Sequence, residues 1–117
     1  MSAPPTIYII SDSIGDSAAQ MAAAAASQFS AGETNIQRLP KASNIDQIAD
    51  FIQSHLAENG GEIVVFYTIA DPRLRAQLHD YVEDKPVQAV DLIGPAIEAI
   101  AEVTGLKPKG KPGLIRR

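Results

Sequence analysis

The chain has 117 residues, which suits a single domain able to bury about two-thirds of its unfolded surface. Cysteine and tryptophan are absent. That excludes disulfides, thiolate catalysis and cysteine-based zinc sites, and leaves the core to Ile, Leu, Val and Ala. Net charge is −4, and half of the ten basic residues fall in the last stretch, Lys107 to Arg117. The rest is strongly acidic and a poor match for nucleic acid, whose affinity comes mainly from phosphate neutralisation. No basic-then-apolar leader and no run of transmembrane length occurs, so a soluble cytoplasmic protein is expected.

The apolar run Thr6 to Ser11 predicts a first strand, with Pro4-Pro5 just before it. The alanine-rich stretch that follows predicts a helix from about Ser13 to Phe29, whose small side chains let it lie close to a sheet. Gly32 is expected to end that unit. Thr34 to Leu39 predicts a second strand, alternating through Thr34, Ile36 and Arg38 and stopped by Pro40. A helix beginning at Ser43 or Asn44 and running to about Asn59 keeps Ile45, Ile48, Ala49, Ile52 and Leu56 on one face. Gly60-Gly61 supplies its left-handed exit.

Glu62 to Tyr67 predicts a third strand. Asp71-Pro72, a cap followed by proline at the first helical position, opens a third helix with Leu74, Leu78, Tyr81 and Val82 facing inward. Pro86 closes that region. Val87 to Leu92 predicts a shorter, more polar fourth strand. Gly94-Pro95 opens a fourth helix, expected to bury Ile97, Ile100 and Ala101 and to stop at Gly105. Residues 1–106 then form one α/β domain, and residues 107–117 read as an extended basic Pro/Gly linker.

Strands one and three are apolar throughout, as expected when helices cover both faces, whereas strands two and four suit edges. With right-handed crossovers this predicts a four-stranded parallel sheet in the order 2-1-3-4, a Rossmann-like or flavodoxin-like three-layer sandwich. The order reverses between strands one and three, where open α/β sheets bind ligands. The turns Ser11–Ser17 and Tyr67–Asp71 flank that crevice. Candidate ligand-binding residues are Ser11, Asp12, Ser13, Gly15, Asp16 and Ser17, with Thr68, Asp71 and Arg75 on the rim.

Two readings of the first turn stand side by side. A helix N-terminus attracts anions through its unpaired N–H groups and dipole. Equally, Ser13 and Asp16 fit a capping box, worth about 1 kcal/mol and needing no ligand. For Arg75, a pair with Asp71 four residues back is favoured over a side chain leaning across the crevice. His55 and His79 sit in helices without a ligand-spaced acid and read as surface or half-buried groups, so no metal site is assigned. No nucleophile elbow, dinucleotide fingerprint or P-loop signature occurs, and no catalytic residue is assigned.

Four segments occur in one order: Ile9-Ile10-Ser11-Asp12-Ser13-Ile14-Gly15-Asp16-Ser17-Ala18, Tyr67 to Arg75, Val90 to Pro95, and Lys107-Pro108 to Leu114. Together they resemble the amino-terminal part of the pyruvate, phosphate dikinase and phosphoenolpyruvate synthase regulatory proteins. The resemblance implies a bifunctional enzyme acting on another protein. It phosphorylates a threonine of the dikinase or synthase with ADP as donor, and removes that phosphate by phosphorolysis with inorganic phosphate, releasing pyrophosphate. In that family the nucleotide chemistry is assigned to a P-loop in the carboxyl-terminal part. The resemblance therefore implies a piece of a longer protein that binds no cofactor by itself. Two positions depart from the family: Ile14 stands where it usually has threonine, and Arg116 where it often has histidine.

Two classes of function follow. The first is a regulatory domain that docks the dikinase or synthase, forms a homodimer, or completes a site with the remaining half. The second is a small flavodoxin-like module binding a ligand or phosphate without catalysis, which lacks aromatic stacking partners and a fifth strand. A receiver-like phosphoacceptor would use Asp12 and Asp71 but finds no lysine at a strand end.

Overall fold

Side chains on the central strands alternate between two apolar layers. In the computed structural model, which describes residues 6–29 and 34–112, the elements follow one another as β1 (Thr6–Ser11), α1 (Asp16–Ala26), β2 (Asn35–Leu39), α2 (Ile45–Asn59), β3 (Ile63–Thr68), α3 (Pro72–Val82), β4 (Val87–Asp91) and α4 (Gly94–Thr104). The four strands form one parallel sheet in the order β2-β1-β3-β4. This is the expected three-layer α/β architecture. Residues 113–117 of the basic stretch, and Gly32, lie outside the described residues.

Tyr8 and Ile10 of β1 and Ile63, Val65 and Tyr67 of β3 point to one side, where Ile48 and Ile52 of α2 and Leu74, Leu78 and Val82 of α3 cover them. Ile7 and Ile9 point to the other side, against Ala18 and Ala22 of α1. The two alanines are one helical turn apart and fully buried, so the alanine run brings α1 close to the sheet. One face is thus built from branched side chains and the other is thin.

Several boundaries follow from local chemistry. Asn44 caps α2 by accepting from the Gln47 N–H at 2.9 Å, and the Gln47 side chain accepts in return from the Ser43 N–H at 2.7 Å. Replacing Asn44 by alanine is expected to cost about 1 kcal/mol, read as a lowered unfolding midpoint. Gly60, with φ 66°, ends α2 in the left-handed conformation. Asp71 caps α3, with Pro72 in the first turn.

Two helix expectations are corrected. α1 begins at Asp16, not Ser13, because Gly15 at φ 86° breaks the helical path; it ends at Ala26, before Phe29. α4 does not bury the residues assigned to it: Ile97 and Ala101 are half-buried, while Ile100 is 62 % and Val103 86 % exposed. Its apolar periodicity is real, but no element among the described residues covers that face.

His55 is half-buried, with its ring 4.4 Å from that of Tyr8 and 4.6 Å from that of Phe51, and its Nδ1 is 3.0 Å from Glu58. His79 is exposed. No cluster of His, Asp and Glu able to hold a metal ion occurs among the described residues, and none of their helices is long and apolar enough to cross a membrane.

Candidate functional site

The turns after β1 and β3 meet at the carboxyl edge of the sheet and are tied together. Asp12 Oδ2 accepts from the backbone N–H of Ala70 at 2.8 Å and of Asp71 at 3.4 Å. The Asp12 N–H itself donates to the Thr68 carbonyl at 3.3 Å. A carboxylate held by amides in this way serves first as a brace between two turns.

Ser11 is buried and anchors a second tie. Its Oγ accepts from the Thr68 hydroxyl at 3.1 Å and from the Ser13 N–H at 3.0 Å, with the Ser13 hydroxyl 3.3 Å away. The capping box that the Ser13–Asp16 spacing allowed, one of the two readings of this turn, is absent. Ser13 lies before Gly15 and bonds back towards Ser11, out of reach of the helix's first amides, and α1 has no side-chain cap. Asp16 instead pairs with Arg38 at 2.9 Å, and the same guanidinium donates to the Ile14 carbonyl at 3.0 Å. Ser17 is exposed on the first turn of α1.

Arg75 also departs from expectation. Its guanidinium donates to the carbonyls of Ile69 and Ala70 at 3.0 and 3.2 Å, and its Nε lies 3.7 Å from Asp91 Oδ2. It forms no ion pair with Asp71, whose carboxylate is used in capping α3. Nor does it reach an acid of the first turn; the acid it meets comes from β4. Asp91 in turn accepts from the N–H groups of Ile93 and Gly94 at 3.1 and 2.6 Å, fixing the start of α4. Burial, reinforced by the Asp91 carboxylate and opposed by Arg75, pushes the nearby Tyr67 phenol above its ordinary value, so it stays neutral at physiological pH.

In front of these braces opens a cleft of about 1150 Å³. Asp12, Ser13, Gly15, Asp16, Ser17 and Thr68 line it, whereas Ser11, Asp71 and Arg75 stand behind its wall. The opposite wall is α4, through Ile93, Ile97 and Ile100. Residues 106–112 run along the cleft, and Gly110 comes so close to Pro72 at the start of α3 that an added Cβ would lie 3.1 Å from the ring. Lys41 completes the enclosure, its N–H donating to the Ser13 carbonyl at 2.8 Å.

Arg38, Lys41, Asp91 and the 106–112 segment were not singled out from the sequence as parts of this site. Arg38 carried only the alternation of a strand, and Asp91 only marked the polarity of an edge. The usable signal was weak: a charged residue at the last positions of a strand in a parallel sheet sits at the ligand edge.

Residues 7–117 match the family model described as kinase/pyrophosphorylase. A relative from Carboxydothermus hydrogenoformans, named a pyruvate, phosphate dikinase regulatory protein, is 39 % identical over 113 residues, covering 97 % of this chain and 40 % of its own length. One of the same name from Oceanobacillus iheyensis is 35 % identical over 117 residues, covering 100 % of this chain and 42 % of its own. A third, from Syntrophomonas wolfei, is 35 % identical over 113 residues and covers 40 % of its own length. The chain thus spans about two-fifths of the curated relatives it matches. It belongs to the kinase/pyrophosphorylase family.

Proposed function

We propose that this chain is the amino-terminal α/β part of a regulatory protein that acts on pyruvate, phosphate dikinase or phosphoenolpyruvate synthase. The complete protein would transfer phosphate from ADP to a threonine of that target. It would reverse the step with inorganic phosphate, releasing pyrophosphate. The observation that carries the reading is the family match along residues 7–117, together with relatives named as dikinase regulators.

The division of labour follows from side-chain chemistry. A P-loop holds a nucleotide's phosphates with a glycine-rich loop followed by Lys-Ser or Lys-Thr, and the 117 residues contain none. The Ser11–Ser17 turn has a helix N-terminus but also Asp12 and Asp16, so ADP is not assigned here. The part left to this domain is to receive the target at the cleft and to present it to the nucleotide site. Asp12, Ser13, Gly15, Asp16, Ser17 and Thr68 are then the contact residues, and Ser11, Asp71 and Arg75 hold the turns in place. The match to a regulatory family favours this over a flavodoxin-like ligand module.

The test compares this chain with the full-length Carboxydothermus relative against a purified dikinase. The relative is expected to phosphorylate the dikinase threonine with ADP and to release pyrophosphate in the reverse direction. This chain is expected to bind the dikinase without transferring phosphate. Full transfer activity in the 117 residues would overturn the division of labour, and no binding would overturn the docking role.

A further inference from the structure

The cleft has a composition that the docking role alone does not call for. Both walls carry exposed apolar side chains: Ile14 on the first turn is 54 % exposed, Ile100 on α4 62 % and Leu106 beyond it 70 %. The edge is basic. Lys107, Lys109 and Lys111 alternate along the segment that borders the cleft, and Lys41 lines it too. None of these four lysines has a carboxylate partner among the described residues. The two acids on the cleft are already engaged, Asp16 by Arg38 and Asp12 by backbone amides. Cationic charge is therefore in surplus there, in a chain whose net charge is negative.

Resting on the docking role above, we propose that the cleft binds an anionic, partly apolar peptide segment of the target protein. The segment's apolar side chains lie against Ile14, Ile97 and Ile100, and its negative group lies among the lysines of residues 107–111 and Lys41. Two features favour a peptide over a small ligand. The cleft volume of about 1150 Å³ exceeds the ~300–1,000 Å³ usual for small-molecule pockets. The apolar wall also runs along α4 as a stripe, which suits a chain laid along it. Lysine point charges attract carboxylates and phosphates alike, so the phosphorylated threonine and flanking acidic residues are the two sources of the anion.

The experiment measures binding of the whole chain to purified dikinase in its phosphorylated and unphosphorylated forms. It uses the wild type, Ile100→Asp and the triple variant K107E/K109E/K111E. All the altered side chains are exposed, so thermal unfolding should match the wild type. Each variant is expected to bind about tenfold more weakly, and added salt should weaken the wild type but not the triple variant. A loss confined to the phosphorylated form assigns the anion to phosphate, and an equal loss in both forms assigns it to acidic residues. Both results support the proposal.

If both variants bind like the wild type, the proposal falls and the docking role stands. If the wild type itself does not bind, the docking role falls first. Should Ile100→Asp change only the self-association of the chain in sedimentation, the apolar wall belongs to a second copy and the proposal is overturned.

Discussion

Replacing Gly94 by alanine is expected to lower stability by about 2–3 kcal/mol, a large effect for a single methyl group. Gly94 is buried at the first position of α4, and a Cβ there would collide with the Asp91 carboxylate and come within 3.0 Å of Arg75 Nε. The carboxylate cannot swing aside freely. It accepts from the N–H groups of Ile93 and Gly94, and its other oxygen faces the guanidinium. Moving it would leave two amides without their acceptor and a largely buried cation without its counter-charge. Urea unfolding checks this, with the midpoint expected to fall at unchanged slope. Gly61→Ala is the control: no atom lies within 4 Å of its added methyl and its backbone is not left-handed. It should be neutral or slightly stabilising. Equal stability of the Gly94 variant and wild type would refute the packing described for Asp91.

Replacing Asp12 by alanine is expected to cost about 2 kcal/mol and to loosen the cleft. The Ala70 N–H would lose its acceptor at 2.8 Å and the Asp71 N–H its weaker one at 3.4 Å. Asp12→Asn retains an oxygen that can accept from both amides, so it should recover most of the stability although the charge is gone. Thermal unfolding reports the energy, and hydrogen exchange at the Ala70 amide reports the place, with protection lost in the alanine variant and kept in the asparagine variant. Were both variants equally destabilised, the charge of Asp12 and not its geometry would be what matters. The same variants separate bracing from ligand contact, since asparagine preserves the brace while removing a negative charge from the cleft.

The contrast between α1 and α4 shows how far a chain can be read without its fold. In α1 the alanines fall at helical spacing and two of them are fully buried against β1. In α4 the spacing is as regular, yet Ile100 stays in the open. Periodicity reports that one face of a helix is apolar; it does not report whether anything covers that face. The Ser13–Asp16 spacing was likewise compatible with a cap, but a left-handed Gly15 between them put the helix start beyond the reach of Ser13.

The order of the sheet was legible because continuous apolar strands and alternating ones differ in composition, and right-handed crossovers leave few topologies to choose from. The caps at Asn44, Asp71 and Gly60 were legible too, since they depend on neighbours within one turn. Tertiary structure alone decided that Arg75 meets Asp91, that Arg38 grips the first turn, and that Lys41 and residues 106–112 enclose the cleft. Those pairings join residues far apart along the chain. Local composition sets which segments become strands and helices, but only the closing of the sheet sets which distant side chains become neighbours.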